Sequence, residues 1–359
     1  MRSRSLVLEF YPMAYLREAW QLTVLAAIIA FVLAACSSRD DAIVVITPHP
    51  TKPNILYIAT NEYIYKTRDE GRTWEKMSGG MSHSRVIAIA IDPSYPATVY
   101  AGTKGDAVYK SYDGGGRWIE QKTGLDDVTI TSVVNQLVFD PTNANHLFAA
   151  TTMGVFESLD GGDTWKKRMD GMKEIIMVVT LAVEPGRPNM MYAGTSGGVY
   201  KSVNSARHWE KANNGLISPD LLSSSRALMV NWLVIDPVKP AEIIYAATLK
   251  GLYKSTDAAG SWKRIGENLP DQMINVIAVD PAGALYVAGR QGVYKSTDQG
   301  TTWKPSNEGL QSLNIRSLAI SPADSSTIYV GTNGTGLYRS HDGGGHWEPL
   351  PLSITLDPR

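Results

Sequence analysis

The sequence predicts an all-β protein, a seven-bladed β-propeller with four antiparallel strands in each blade. Three observations favour it: a recurring turn motif, short β-rich segments that recur with the motif, and a tryptophan that ends every copy. The motif reads S-x-D-x-G-x-T-W, and its seven copies begin 44, 47, 44, 53, 41 and 44 residues apart. Self-similarity with a period of about 40–50 residues indicates a repeat architecture, so each copy should mark one blade.

The residue types of the motif indicate a hairpin turn between the third and fourth strands of a blade. A Ser or Thr hydroxyl and a carboxylate two residues later can fold back onto backbone N–H groups. A glycine at the fifth position suits a positive φ, and the tryptophan buries a large apolar surface. The acidic or amide residue and the tryptophan of each turn are Asp69 and Trp74, Asp113 and Trp118, Asp160 and Trp165, Asn204 and Trp209, Asp257 and Trp262, Asp298 and Trp303, and Asp342 and Trp347.

Blades four and five depart from this pattern. Asn204 replaces the aspartate of blade four, and Ala206 and Ala259 replace the glycines of blades four and five. We therefore expect the turns of these two blades to be less well satisfied.

Residues 86–121 show the repeat unit most clearly. Apolar segments at 86–91, 98–103, 107–111 and 118–120 are separated by turns rich in Gly, Pro and Asp. Such segments are typical of antiparallel strands, and four strands in each of seven repeats predict a propeller. One sheet cannot bury both its faces alone, so the blades should close into a single domain over residues 42–350. The tail 351–359 is a possible ring-closing strand, although the N-terminal strand at 43–48 is favoured for that position.

Residues 1–36 are expected to be a targeting segment. Arg17 precedes an apolar stretch at 22–35 that ends in Leu-Ala-Ala-Cys. A positive region, a short apolar region and small residues at the cleavage point describe a secretory signal. The stretch is shorter than the roughly 20 residues that a membrane-spanning helix needs.

The Leu-Ala-Ala-Cys sequence resembles the bacterial lipobox. This resemblance implies that Cys36 carries a lipid, that residues 37–41 are a tether, and that the protein lies in the bacterial cell envelope. Ser37 follows the cysteine, where an Asp would favour the inner membrane of a Gram-negative cell, so the outer membrane is favoured. A plain signal peptide and an uncleaved anchor remain alternatives.

Composition excludes several classes of function. The formal net charge is −1, whereas a nucleic-acid surface needs a basic excess. The single cysteine rules out an intrachain disulfide and a metal site built from cysteines. The six histidines are scattered along the sequence. We therefore expect no metal, no cofactor and no nucleic-acid partner.

The repeated turns resemble the Asp-box, or BNR, repeats of sialidases, xyloglucanase-type glycoside hydrolases, sortilin ectodomains and the lipoprotein-like assembly factor of photosystem II. The resemblance covers roughly residues 42–350. It implies that the motif turns lie on the face away from the ligand. The binding face would then carry the loops that follow each tryptophan strand and those that join the second and third strands. It says little about activity, because one fold hosts unrelated functions.

Alignment of the innermost strands on their Asp-Pro turns identifies a candidate polar ring. The position five residues before the acidic residue holds Asn135, Asn231, Asn275 and Arg316 on strands that are otherwise rich in Val, Ile and Leu. Near the mouth of the central channel, these side chains could hydrogen-bond a polar ligand. The alternative is that they bond the backbone of neighbouring blades, as buried amides commonly do.

Evidence for a hydrolase site is weaker. The sequence lacks the R-I-P motif that sialidases usually carry, and the xyloglucanase type places two aspartates across a cleft between two propellers. Asp126, Asp127 and Asp271 are the catalytic candidates, because they fall in loops on the expected binding face. A glycosidase needs two carboxyl groups at a set separation, and isolated loop carboxylates are usually only solvated.

These observations favour a non-catalytic binding or assembly scaffold over an enzyme. We expect a monomer that is attached to the membrane by its lipid and that binds a protein or glycan on the face opposite the motif turns. The main alternative is a glycoside hydrolase of the xyloglucanase or sialidase type. A photosystem II assembly factor is a weaker alternative.

Overall fold

The computed structural model describes residues 42–77, 79–81, 85–105, 108–125, 133–173, 175, 177–216, 228–270 and 274–352. The chain divides into two units, Met1–Asp40 and Asp41–Arg359. The first unit, which includes Cys36 and residues 37–40 of the expected tether, lies outside the described residues. Asp41 and residues 353–359 lie outside them as well. Among the described residues, no helix has the length and apolarity that crossing a membrane requires.

Residues 42–352 form seven sheets of four antiparallel strands, which are the seven blades of a β-propeller. The strands of the first four blades, each from its innermost to its outermost, are β1 (Val45–Pro48), β2 (Leu56–Ala59), β3 (Ile64–Thr67) and β4 (Glu75–Lys76); β5 (Arg85–Ile91), β6 (Val99–Lys104), β7 (Val108–Ser111) and β8 (Ile119–Gln121); β9 (Val134–Asp140), β10 (Asn143–Thr151), β11 (Gly154–Ser158) and β12 (Lys166–Lys167); β13 (Val178–Glu184), β14 (Arg187–Thr195), β15 (Gly198–Ser202) and β16 (Glu210–Lys211).

The last three blades follow the same order. Their strands are β17 (Val230–Ile235), β18 (Ile244–Thr248), β19 (Gly251–Ser255) and β20 (Lys263–Ile265); β21 (Ile274–Val279), β22 (Leu285–Gly289), β23 (Gly292–Ser296) and β24 (Lys304–Pro305); β25 (Ile315–Ile320), β26 (Ile328–Thr332), β27 (Leu337–Ser340) and β28 (Glu348–Leu350). The predicted fold class is therefore confirmed, with seven blades and four strands in each.

The repeated motif forms the turn between the third and fourth strands, as its chemistry predicts. In blade three, the Ser158 hydroxyl donates to Asp160 Oδ1 at 2.8 Å and accepts the N–H of Gly162 at 2.7 Å. Asp160 Oδ1 also accepts the N–H of Thr164 at 2.9 Å. The turn thus satisfies its own backbone donors, which a tight turn must do when water is excluded.

The turns of blades four and five keep the same hydrogen bonds, contrary to expectation. The N–H of Ala206 donates to Ser202 at 3.0 Å, and the N–H of His208 donates to Asn204 Oδ1 at 2.9 Å. An amide oxygen accepts as a carboxylate oxygen does, so Asn204 serves in place of Asp. These two turns differ in backbone strain instead. Ala206 and Ala259 adopt φ values of 62° and 64°, a region in which a residue with a side chain is strained and glycine is not.

The core is a ring of seven apolar clusters, one between each pair of adjacent blades. Each cluster contains one motif tryptophan, packed against the preceding blade. For example, Trp118 packs with Tyr57, Ile64 and Met77 of blade one. Its indole N–H donates to the Met77 carbonyl at 2.8 Å. Each sheet therefore buries its faces only against its neighbours, which is why the repeats form one cooperative domain.

The ring closes between blades seven and one. The innermost strand of blade one is β1, and the residues just before it contact blade seven. The N–H of Ile43 donates to the Thr332 carbonyl at 3.1 Å, and the Ser317 hydroxyl donates to the Ile43 carbonyl at 2.9 Å. Each innermost strand contacts the next, including β25 with β1. The N-terminal segment thus holds the innermost position of blade one.

Candidate functional site

Each innermost strand from blade two to blade seven carries a β-bulge near its start. The regular pairing with the second strand skips one residue at this point. The skipped residues are Ile87, Asn135, Val179, Asn231, Asn275 and Arg316. A bulge leaves one residue unpaired and re-aims its side chain. The aligned position that the sequence identified is therefore the bulged position of every one of these strands.

The three asparagines at the bulges bond the backbone of the following blade. The side-chain amide of Asn135 donates to the Val178 carbonyl at 2.7 Å. Asn275 donates in the same way to Ile315 at 2.8 Å, and Asn231 to Ile274 at 3.3 Å. Each acceptor is the residue just before the bulge of the next blade. These amides therefore stabilise contacts between blades, which was the alternative to a ligand role.

Two of the three asparagines and Arg316 also line a cavity of about 200 Å³ in the central channel. The indole of Trp232 and the side chain of Gln136 line it as well. Asn231 is not among the described residues that line this cavity. The channel mouth therefore combines fixed amides, an aromatic ring and a cation, which is the composition of a polar binding site.

Arg316 is exposed at the mouth, yet its guanidinium lies in a partly desolvated and positively charged setting. Burial, followed by the positive charge of Arg85, lowers the pKa of Arg316 from its ordinary value. An arginine stays charged in proteins, so Arg316 offers a positive charge to an anion at the cavity.

Arg85 is a charged residue near the cavity that the sequence alignment missed, and it acts on Arg316 by its charge although it is not among the described residues that line the cavity. It is the first residue of β5, two positions before the bulge, and belongs to blade two. Its Nη2 donates to Asn61 Oδ1, in the loop between the second and third strands of blade one, and its Nε is buried without a hydrogen-bond partner. The only sequence signal was a charged residue at the start of an apolar strand.

The catalytic candidates Asp126, Asp127 and Asp271 lie outside the described residues. The described residues that line the channel cavity include neither Asp nor Glu. Over the same described part of the chain, no group of three or more His, Cys, Asp or Glu side chains is placed to hold a metal ion. The described site therefore offers recognition by hydrogen bonds and positive charge.

A larger groove of about 700 Å³ lies at the outer edges of blades five and six. Lys263, Gln299 and Thr302 are among its lining residues, and most of the lining belongs to the motif turns and outer strands. A similar groove of about 420 Å³ separates blades six and seven. Because the groove repeats between blades, it is the ordinary gap between outer strands, and its size alone does not make it a functional site.

No protein-family model matches the chain. Two curated relatives are xyloglucanases. One, from Hypocrea jecorina, is 28% identical over 115 residues, which are 29% of this chain and 14% of the relative. The other, from Acetivibrio thermocellus, is 30% identical over 160 residues, which are 34% of this chain and 19% of the relative. The matches thus span less than a fifth of either relative.

Solved structures show the same fold. The GH74 enzyme of Niastella koreensis matches with a TM-score of 0.67 and 19% identity, over 88% of this chain and 55% of that one. The extracellular domain of a putative hybrid two-component system from B. thetaiotaomicron matches at 0.66 and 16%, over 84% and 38%. YCF48 from Cyanidioschyzon merolae matches at 0.61 and 15%, over 84% and 96%. The fold and the site therefore define a seven-bladed β-propeller with a polar channel mouth and with relatives among the glycoside hydrolases.

Proposed function

We propose that the protein is a non-catalytic binding scaffold of the bacterial cell envelope, which holds a protein or glycan partner at the mouth of its central channel. The observation that carries this proposal is the lining of the channel cavity. It contains amides, an indole and a guanidinium, and its described residues include no carboxylate. Such groups bind a polar ligand without supplying the acid and base that glycoside hydrolysis requires.

The rigidity of the fold supports a binding role. The amides of Asn135 and Asn275 are held by hydrogen bonds to the next blade, at 2.7 and 2.8 Å. Side chains held in this way lose little conformational entropy when they bind a ligand. The loops around the mouth are free to vary while the seven sheets keep their positions, which is how binding sites are commonly built on rigid scaffolds.

Two further points are part of this proposal: attachment to the membrane through a lipid on Cys36, and membership of the Asp-box superfamily, which the resemblance of the turn motifs favours. The anchor would hold the propeller at a membrane surface, with the outer membrane favoured in a Gram-negative cell. Fractionation of cells that express the full chain tests it. The wild type should sediment with membranes, and Cys36→Ser should be released; equal retention of both would contradict the lipid anchor.

A glycoside hydrolase is the second candidate, and the xyloglucanase relatives favour it. In this reading Asp126, Asp127 or Asp271 would supply the carboxyl groups. A photosystem II assembly factor is a weaker third candidate, supported by the fold similarity to YCF48.

One experiment separates the first two candidates. The full chain is incubated with xyloglucan and other cell-wall glycans, and both retardation in affinity electrophoresis and release of reducing ends are measured. Retardation without new reducing ends is expected. Arg316→Ala should reduce retardation about tenfold or more, since a hydrogen bond to a charged group contributes roughly 1.5–3 kcal/mol.

Arg117→Ala is the matched control, because Arg117 lies in a motif turn, away from the channel mouth. Reducing ends that appear with the wild type and disappear with Asp126→Asn, Asp127→Asn or Asp271→Asn would establish the hydrolase. A further informative comparison is Asn231→Ala with Arg316→Ala. If both lower stability and leave binding intact, the polar ring is structural only.

A further inference from the structure

The channel mouth brings together two arginines from blades that are not neighbours in sequence. Arg85 begins the innermost strand of blade two, and Arg316 lies at the bulge in the innermost strand of blade seven. Blade one separates these two strands, and its own innermost strand contacts both of them. Arg316 lines the channel cavity, whereas Arg85 is not among its described lining residues, and the positive charge of Arg85 acts on Arg316 from the other side of β1.

Neither arginine is neutralised by the described part of the protein. No described carboxylate lies within ion-pairing distance of Arg85 or Arg316, and the Nε of Arg85 is buried without a partner. Glu62 follows Asn61 in the adjacent loop, but its side chain is exposed. The charge of Arg85 makes the positive charge of Arg316 less favourable, because like charges repel most strongly where water is partly excluded. A bound anion would remove this cost.

The rest of the cavity indicates what else the ligand carries. The Asn135 and Asn275 side chains use their N–H groups on the next blade, and no described residue donates to their Oδ1 atoms. A free amide oxygen accepts a hydrogen bond from a hydroxyl group. Trp232 offers an aromatic surface that suits the apolar face of a ring. The volume of about 200 Å³ is below the usual 300–1,000 Å³ of ligand pockets, so it accommodates one small unit.

We propose that the channel mouth is an anion-binding subsite that takes the carboxylate of a small polyhydroxylated acid, such as a uronic acid. The guanidinium of Arg316 holds the carboxylate, because a planar guanidinium matches its geometry with paired hydrogen bonds, and the nearby charge of Arg85 adds to the attraction. The amide oxygens accept the hydroxyl groups, and Trp232 packs against the ring. This inference rests on the proposed binding function and names the ligand class, either as a free acid or as the end of a glycan chain.

The test is titration of the full chain with D-glucuronate, D-glucose and acetate, followed by ligand-observed NMR. Binding of D-glucuronate is expected, with D-glucose and acetate each at least about tenfold weaker, since each lacks one part of the recognised structure. Arg316→Gln should weaken D-glucuronate binding about tenfold or more, since it removes one partner of a charge-assisted pair, and Arg85→Gln should weaken it less, since it removes only a nearby positive charge. Added salt should also weaken it.

Control variants keep the outcome interpretable. Arg117→Gln, away from the channel mouth, should bind as the wild type does, and Arg316→Lys should retain part of the affinity because it keeps the charge. Thermal unfolding of every variant shows whether the fold persists. Comparison with an oligosaccharide that ends in a uronic acid distinguishes a glycan end from a free acid.

The proposal is overturned if D-glucuronate does not bind, if D-glucose or acetate binds equally well, or if both glutamine variants bind as the wild type does. Such a result would not contradict the proposed scaffold function if neutral glycans are still retarded without cleavage. Loss of retardation for all glycans, with D-glucuronate binding intact, would instead contradict the scaffold function and keep the subsite.

Discussion

His49 and His146 are both buried, and their surroundings move their pKa values in opposite directions. His49 occupies the position that Asp holds in blade two, and its Nδ1 accepts the N–H groups of Thr51 and Lys52 at 3.2 and 3.1 Å. Asp92 Oδ1 accepts the equivalent pair in blade two. Burial, followed by the positive charge of Lys52, lowers the pKa of His49. A neutral imidazole thus replaces the carboxylate as the acceptor of this turn.

His146 lies between two carboxylates. Its Nδ1 is 2.9 Å from Asp140 Oδ2, and its Nε2 is 2.9 Å from Glu157 Oε1. The hydrogen bond with Glu157 is the largest influence that raises the pKa of His146 above its ordinary value. Arg168 donates to the other oxygen of Glu157 at 2.7 Å. The charged imidazolium therefore completes a buried network in blade three.

We predict that His146→Gln lowers the free energy of unfolding by roughly 3 kcal/mol at mildly acidic pH, as expected when one partner of a buried ion pair is removed. The pKa of His146 is raised in the folded state, so its contribution is full below the unfolded pKa of about 6.5. It is lost as the pH rises through the folded pKa. Urea unfolding of both proteins across this range should show the difference shrinking towards alkaline pH.

His49→Asp is the control, because the pH dependence of stability that His49 contributes has the opposite sign to that of His146. The folded pKa of His49 is lowered, so this residue makes stability increase as the pH rises through about 6.5. The Asp variant should lose that increase. A difference between wild type and His146→Gln that does not change with pH would refute the charged network.

The sequence could predict these residues only in part. The position of His49 can be read from the sequence, since His49-Pro50 stands in blade one where Asp92-Pro93 stands in blade two, and turn chemistry is local and repeats with the period. The sequence could not predict that Glu157, which stands in the third strand of blade three where blade two has Lys110, pairs with His146. That pairing depends on the register between β10 and β11. Arg85 was missed for a related reason, since its neighbour Arg316 is brought to it by closure of the ring.

At the scale of elements, a lysine of the third strand connects several blades to the turn of the next, whereas blade three has Glu157 at this position. Lys66 Nζ donates to the Gly114 carbonyl at 2.9 Å, and Tyr57 Oη donates to the same carbonyl at 2.9 Å. Lys295 and Tyr286 repeat this arrangement at Gly343, at 2.8 and 3.1 Å. The motif turn is thus held by the blade before it as well as by its own side chains.

We predict that Lys66→Met and Tyr57→Phe are non-additive. Each single change leaves the Gly114 carbonyl with one donor and should cost about 1 kcal/mol. The double variant leaves a buried carbonyl with neither side-chain donor. It should therefore cost about 1–2 kcal/mol more than the sum, by the penalty for an unsatisfied group. Urea unfolding of the four proteins measures this coupling.

Lys304→Met, at an exposed position of β24, is the control and should change stability by less than about 0.5 kcal/mol. Additive effects of Lys66 and Tyr57 would mean that the shared carbonyl does not couple them. The sequence showed the lysine in several repeats, but the identity of its acceptor depends on how adjacent blades are placed, which no single repeat contains.

At the scale of the whole molecule, the interface between blades seven and one, which is called the seam here, can be compared with the other interfaces by how closely the blades pack. Glycines in the second strands let the next blade approach closely. A Cβ at Gly102 would lie 2.6 Å from Val134 of blade three, whereas a Cβ at Gly331 would meet the Ser317 hydroxyl of its own blade and would lie 2.6 Å from Ile43 of blade one. Neither glycine has a positive φ, so glycine is required at both positions because a side chain would not fit, and not because of the backbone conformation. The seam therefore has the same close contact as an internal interface.

Because a Cβ at either position would overpack a contact with the next blade, Gly331→Ala and Gly102→Ala should each destabilise the protein by about 1–3 kcal/mol, as overpacking does. Both variants should still unfold in one transition, with circular dichroism and tryptophan fluorescence changing together. Alanine at the seam forces Ile43 away from Gly331, and in a closed ring no blade can move without disturbing the next. A Gly331→Ala protein as stable as the wild type, beside a destabilised Gly102→Ala protein, would show that the seam opens without cost. In that case the N-terminal segment would not hold the ring closed.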